Sequence, residues 1–160
     1  MACKRHWLVV HSLLCVISIL GCSAPSVSAS SGGGHALVGA ALGPTTGSVE
    51  GAFAVGLASH TLLDAMPHWE YNEVTQVALL VAAGAFIKQE FSRTGDWRLI
   101  AGAAGGVLPD LPHVLRRLGW KGKSRFPSHD GTLPHGRAKK MWQGIWLEAG
   151  LVGAIVSLAF

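Results

Sequence analysis

The sequence has no cysteine outside its first 22 residues, because Cys3, Cys15 and Cys22 are the only three. The domain that follows therefore has no disulfide and no thiolate metal site. It also has little net charge: of thirteen Lys and Arg, Lys4 and Arg5 lie near the N-terminus, which leaves eleven against nine Asp and Glu. This balance excludes the dense basic face that is typical of nucleic-acid binding.

Strand-like alternation of apolar and polar residues is also scarce, and the apolar stretches are long and rich in alanine and glycine. We therefore predict an all-α fold: a compact bundle of about five apolar helices, embedded in a membrane, that forms one domain over residues 35–160. The predicted helices cover residues 35–42, 48–66, 73–91, 97–108 and 138–160. Residues 111–137 are predicted to be a long polar, basic loop.

Local signals mark several of these helix ends. Ser48 and Asp96 are predicted N-caps, since their short side chains can accept a hydrogen bond from the first turn. Pro67 is predicted to stop the second helix. The Gly- and Pro-containing turn at 43–47 predicts that the first two helices form an antiparallel hairpin.

The N-terminal segment has the layout of a secretory signal. A positive start at residues 4–6 precedes an apolar run at 7–20. Gly21-Cys22 resembles the cleavage box of bacterial lipoproteins, so residues 1–22 are predicted to be a signal peptide, Cys22 a lipidation site and residues 23–34 a Ser/Gly linker. Ordinary cleavage after residue 29 and an uncleaved anchor remain as alternatives. The expected location is the bacterial cell membrane, with an exported or lipid-anchored N-terminus.

Three of the predicted helices are candidates for crossing a membrane, those at 48–66, 73–91 and 138–160. Their small residues allow close helix packing in lipid. Tryptophans near the helix ends are typical of the membrane interface. Membrane lipid is therefore an expected partner, and nucleic acid is not. If the helices span, the basic residues of the 111–137 loop place that loop in the cytoplasm.

The histidine and aspartate residues are the candidates for a functional site. His60 and Asp64 lie four residues apart and therefore share one face of a helix. Pro67 ends that helix, so that His68 can turn back toward the same face. A carboxylate inside an apolar helix is costly unless it is paired or coordinates a metal. Metal coordination and a buried His60–Asp64 hydrogen bond are both compatible with this pattern.

Five further residues are candidate metal ligands. His35 is brought beside His60 by the helical hairpin. Asp110 and His113 follow an apolar helix between prolines that fix the backbone. The remaining two, His129 and His135, flank a Gly- and Pro-containing turn. Imidazole and carboxylate groups together suit a divalent metal.

Three short motifs, taken in order, resemble the bacterial family of membrane-bound metal-dependent hydrolases: Gly-His at 34–35, Leu-Pro-Asp-Leu-Pro-His at 108–113 and His-Asp-Gly-Thr-Leu-Pro-His at 129–135. Pro112 stands where that family has a second Asp, and Gly136 where it has Ser. The resemblance covers most of the chain after the signal. It implies a membrane protein that hydrolyses its substrate at a metal site.

The spacing of His60, Asp64, Pro67 and His68 is similar, locally, to the ligand helix of the zinc-dependent phospholipase C and nuclease family. Both resemblances imply hydrolysis at a divalent metal, with zinc expected, and phosphoester or lipid-linked substrates. The alternative is a non-catalytic membrane protein or lipoprotein whose His/Asp cluster is structural or carries metal.

Overall fold

The computed structural model describes residues 31–122 and 126–160 of the chain. The predicted signal at 1–22, its lipidation site Cys22 and linker residues 23–30 lie outside the described residues. Within those ranges the regular secondary structure is helical, as predicted. The one pairing of strand type there is an isolated bridge between His68 and Arg137.

Seven α-helices follow one another along the described chain. They are α1 Gly32–Leu42, α2 Val49–Ala65, α3 Glu73–Thr94, α4 Trp97–Val107, α5 Leu111–Arg117, α6 Pro127–Asp130 and α7 Met141–Ala159, with 3-10 turns at Gly43–Thr45 and Leu108–Asp110. The long helices α1 to α4 and α7 correspond to the five predicted ones.

The predicted start and stop signals act as expected. Ser48 caps α2 by accepting a hydrogen bond from the Gly51 N–H at 3.0 Å, and Asp96 caps α4 through the Arg98 N–H at 2.9 Å. The backbone becomes extended at Met66, directly before Pro67. Helix α1 begins three residues earlier than predicted because Ser31 caps it.

The prediction of one long loop at 111–137 is wrong in two places. Leu111–Arg117 forms helix α5, and Pro127–Asp130 forms the single turn α6. Pro112 and Pro127 lie in the first turns of these helices, where a proline ring fits because its missing N–H would have no helical partner. These prolines therefore start helices, whereas the sequence interpretation treated them as loop residues.

Helix α1 lies at the centre of the bundle, and every residue from Gly33 to Ala41 is buried. It packs against α2, α3, α4 and α7. The contact with α4 is unusually close: a Cβ on Gly39 would lie 2.2 Å from the Gly102 carbonyl oxygen, and one on Gly102 would lie 2.1 Å from that of Gly39. Glycine at both positions lets the two backbones touch.

Two of the three expected membrane helices are long and apolar enough to cross a bilayer, judged by length and composition alone. They are α3, with 22 residues, and α7, with 19. Only 33% and 22% of their most apolar stretches are buried within the fold. Helix α2, with 17 residues, is not among the helices of the described chain that meet this test. That helix instead carries buried polar residues.

Candidate metal centre

The hairpin of α1 and α2 places three polar side chains together in the interior. His35 and His60 stack with ring centroids 4.0 Å apart, as the hairpin geometry predicted. The Asp64 carboxylate lies between them, with His35 Nε2 3.3 Å from Oδ1 and His60 Nε2 3.1 Å from Oδ2. All three side chains are at most 1% exposed.

His129, carried by the short helix α6, completes a tight triangle of ligand atoms. Its Nε2 lies 3.1 Å from His60 Nε2 and 3.4 Å from Asp64 Oδ2. Zinc bonds to nitrogen and oxygen are about 2.0–2.2 Å long, so two ligand atoms of a tetrahedral site lie roughly 3.3–3.6 Å apart. The triangle of His60, Asp64 and His129 is close to one face of such a tetrahedron.

Asp110 reaches the same centre from the 3-10 turn that follows α4. Its Oδ1 is 3.5 Å from His129 Nε2 and 3.9 Å from His60 Nε2. Three overlapping groups of residues could each hold one ion: His35, His60 and Asp110; His60, Asp64 and His129; and Asp110, His113 and His129. The buried His and Asp side chains of the described chain could thus bind a metal ion.

The backbone of α4 sets the orientation of His60. Its Nδ1–H donates to the Gly106 carbonyl oxygen at 2.7 Å, so the lone pair of neutral His60 is on Nε2 and points into the centre. Metal-binding histidines commonly have such a second hydrogen bond, which fixes the ring and its tautomer. Ser128 supports Asp64 in the same way, by donating its hydroxyl to Oδ2 at 2.6 Å.

A chain of hydrogen bonds leads from His129 to the surface. Arg116 can only donate, so His113 Nδ1 accepts from Arg116 Nη2 at 2.9 Å. Neutral His113 then donates from Nε2 to His129 Nδ1 at 2.8 Å. Coordination through His129 Nε2 would require both rings to exchange tautomers and the exposed Arg116 to release His113.

His68 and His135 lie beside the centre rather than within its closest ligand groups. His135 Nδ1 is 3.8 Å from Asp64 Oδ2, and the two histidine rings meet edge to face at 4.8 Å. The Nδ1–H of His68 donates to the Met66 carbonyl at 2.9 Å. Within the described ranges, His68 Nε2 and both ring nitrogens of His135 are buried without a hydrogen-bond partner. Unpaired polar atoms of this kind are uncommon in protein interiors.

Burial controls the protonation of the centre. Loss of solvent lowers the pKa of His35 and of His129 to about 4, so both rings are neutral at pH 7, as metal ligands must be. Burial raises the pKa of Asp110 to about 7, with Asp64 adding repulsion. Without a cation, the centre thus keeps one of its two carboxyl groups partly protonated at neutral pH.

The structure brings all eight predicted ligand residues into one region, and it adds three groups that the sequence did not reveal. These are the Ser128 hydroxyl, the Gly106 carbonyl and the Glu148 carboxylate, which accepts from the Ser31 N–H at 3.1 Å. Glu148 thereby connects α7 to the start of α1, one turn before His35. Of these three groups, only Glu148 could have been singled out in the sequence, because it is an acidic residue inside an apolar helix.

Comparison with known proteins gives no match: no family model, curated protein or solved structure is significantly similar to the chain.

Proposed function

We propose that this chain is a membrane-associated, metal-dependent hydrolase that acts on phosphoesters. The observation that carries the proposal is the convergence of His60, Asp64 and His129 at mutual distances of 3.1–3.4 Å in the interior of an apolar bundle. Burying this many polar groups is costly unless they are paired or bind a metal. A divalent cation, with zinc expected, would compensate that cost.

The donor set fits such an ion. His60, Asp64 and His129 would hold it, each by one nitrogen or oxygen, and the two overlapping groups that include Asp110 offer alternative positions for the ion. When bound, a divalent cation lowers the pKa of a coordinated water and stabilises negative charge on the group under attack. The chain's own residues supply the rest: Gly106 and Ser128 orient the ligands, and Arg116 places a positive charge at the edge of the centre.

The centre opens on one side, as catalysis requires. The His135 side chain is 26% exposed and that of Asp110 is 12% exposed, whereas His60 is fully buried. A substrate would therefore approach from the side of His135, Asp110 and His113. The non-catalytic alternative, a structural or metal-carrying centre, is favoured by the burial of His35, His60 and Asp64, since structural metal sites are closed.

The apolar surfaces of α3 and α7 support a location in the membrane. Val74 and Val81 of α3 are 73% and 65% exposed, and Trp146 and Leu158 of α7 are 66% and 90% exposed. In water, large apolar patches of this kind are unfavourable, whereas lipid would cover them. The resemblance to membrane-bound hydrolases implies the same location.

The metal and the activity are tested together on the full chain purified in detergent. We expect elemental analysis to find stoichiometric divalent metal, and hydrolysis of bis(p-nitrophenyl) phosphate that is lost on chelation and returns with zinc. Full metal occupancy without hydrolysis of this or other generic phosphoesters would favour the non-catalytic alternative. A chain that binds no metal would contradict the hydrolase and leave a hydrogen-bonded structural cluster.

Asp110 gives the proposal a pH signature. Its raised pKa of about 7 leaves the carboxyl mostly protonated at pH 6, and a cation that binds there must displace that proton. We expect Asp110 to contribute about 0.9 released protons per ion at pH 6 and about 0.1 at pH 8. Calorimetry in buffers of different ionisation enthalpy measures this release.

The matched control for this titration is Asp110→Asn, which replaces the ionisable carboxyl group with a neutral amide of nearly the same shape. In this variant the proton release at pH 6 should fall by the share of Asp110, while His35 and His129, already neutral at pH 6, contribute no ionisation in either protein. Burial lowers the pKa of His60, but the hydrogen bond to Asp64 and the charge of Asp110 raise it above its ordinary value, so His60 makes a separate contribution to the release. Equal proton release by both proteins at pH 6 would show that Asp110 does not meet the ion.

A further inference from the structure

A groove of about 570 Å³ runs between the Pro67 segment and the first turns of α7. It is lined by Pro67, Arg137, Lys139, Trp142, Trp146 and Leu147, among others. Trp142 and Trp146 lie four residues apart on one face of α7, and they are 57% and 66% exposed. The groove therefore has an apolar, aromatic wall that no described part of the chain covers.

The charges of the groove are positive. Lys139 lies in its wall, and Lys140, also exposed, follows directly at the start of α7. The lining contains no acidic side chain. The Glu70 carboxylate accepts a hydrogen bond from Arg137, which belongs to the lining. An occupant must consequently combine a negative charge with an apolar body.

Helix α7 is one of the two helices with the length and composition of a membrane span, and the groove lies at its first residues. Tryptophan and lysine at the end of a span are typical of the boundary between lipid headgroups and acyl chains. Lysines at this depth attract anionic lipids. The position, the charge and the apolar wall all match one class of ligand.

We propose that the groove binds an anionic phospholipid, with its phosphate near Lys139 and Lys140 and its acyl chain along Trp142, Trp146 and Leu147. The inference rests on the proposed membrane location and adds a lipid-binding surface to the proposed function. Pro67 and Leu147 also line a cavity of about 10 Å³ that is shared with His35 and His68. In addition, the Ala138 N–H donates to the His68 carbonyl at 3.0 Å. A lipid phosphate in the groove would thus lie beside the segments that carry the metal centre.

The test uses the full chain in phosphatidylcholine nanodiscs that contain either brominated phosphatidylglycerol or brominated phosphatidylcholine at equal mole fraction. Bromine quenches tryptophan fluorescence on contact. We expect stronger quenching by the anionic lipid, and Trp142→Phe with Trp146→Phe should remove this excess. The matched control, Trp97→Phe, replaces a tryptophan that is 62% exposed at the start of α4 and should keep the excess.

Charge is tested separately. Lys139→Gln with Lys140→Gln should weaken the preference for phosphatidylglycerol by up to about thirtyfold, whereas Lys88→Gln on α3 should leave it unchanged. Equal quenching by both lipids would overturn the inference, as would displacement by free glycerol phosphate, which would show a site for soluble phosphate. If the chain preferred the anionic lipid but bound no metal, the lipid site in the groove would be supported and the proposed hydrolase function would be contradicted. A chain quenched by neither lipid would refute the membrane location.

Discussion

Replacing Asp64 with alanine is expected to abolish stoichiometric metal binding and to lower metal affinity by more than about a hundredfold. Asp64 Oδ2 lies within 3.4 Å of both His60 and His129, and Oδ1 lies 3.3 Å from His35. Loss of a residue that merely orients a ligand already costs 10- to 100-fold in metal affinity, and Asp64 is a candidate ligand. Isothermal titration calorimetry of the metal-free protein with zinc measures the change in affinity.

The matched control is Asp130→Ala, which removes the same side chain one residue beyond His129. Asp130 is exposed, and its carboxylate accepts from the Thr132 N–H at 2.9 Å, so zinc affinity should stay within about twofold of the parent chain. A second comparison, Asp64→Asn, keeps the volume and removes the charge. If Asp64→Ala bound zinc as tightly as Asp130→Ala did, Asp64 would not be a ligand and the buried cluster would be a hydrogen-bonded core.

Zinc should also stabilise the parent chain and not the Asp64→Ala variant. An ion that binds only the folded state adds RT ln(1 + [L]/Kd), which is about 2.7 kcal/mol at a hundred times Kd. Thermal unfolding with and without zinc would therefore separate the parent chain from the variant. An equal upward shift in both proteins would show that the metal binds elsewhere.

Much of the helical framework was predictable because its signals are local. Ser48 and Asp96 cap their helices through hydrogen bonds that span two or three residues. The His60–Asp64 pair follows from helical spacing alone. Even the approach of His35 to His60 follows from one short turn, since an antiparallel hairpin has few possible registers.

The remaining parts of the centre depend on contacts between residues far apart in sequence. Ser128 donates to Asp64 across 64 residues, and Gly106 accepts from His60 across 46. A serine or a glycine in those places carries no pattern that indicates its partner. Pro112 and Pro127 were ambiguous for another reason: proline can end one helix or begin the next.

Replacing Gly102 with alanine is expected to destabilise the fold by about 3 kcal/mol or more. The new Cβ would lie 2.1 Å from the Gly39 carbonyl oxygen, so the backbones of α1 and α4 must move apart. Overpacking of a close interior contact usually costs 1–3 kcal/mol, and here both clashing groups belong to rigid helices. Chemical or thermal unfolding followed by circular dichroism measures the loss.

The matched control is Gly84→Ala in the middle of α3, where a Cβ would meet nothing within 4 Å. That variant should gain about 1 kcal/mol, because alanine is the better helix former. Gly102→Ala should also weaken zinc binding: a shift of α4 carries Gly106 away from His60 and breaks the 2.7 Å hydrogen bond that orients this ring. If the Gly102→Ala chain were destabilised but bound zinc as tightly as the parent chain, α4 would stabilise the bundle without positioning the metal centre. A joint loss would mean that glycine is needed at this helix contact both for the fold and for the metal centre.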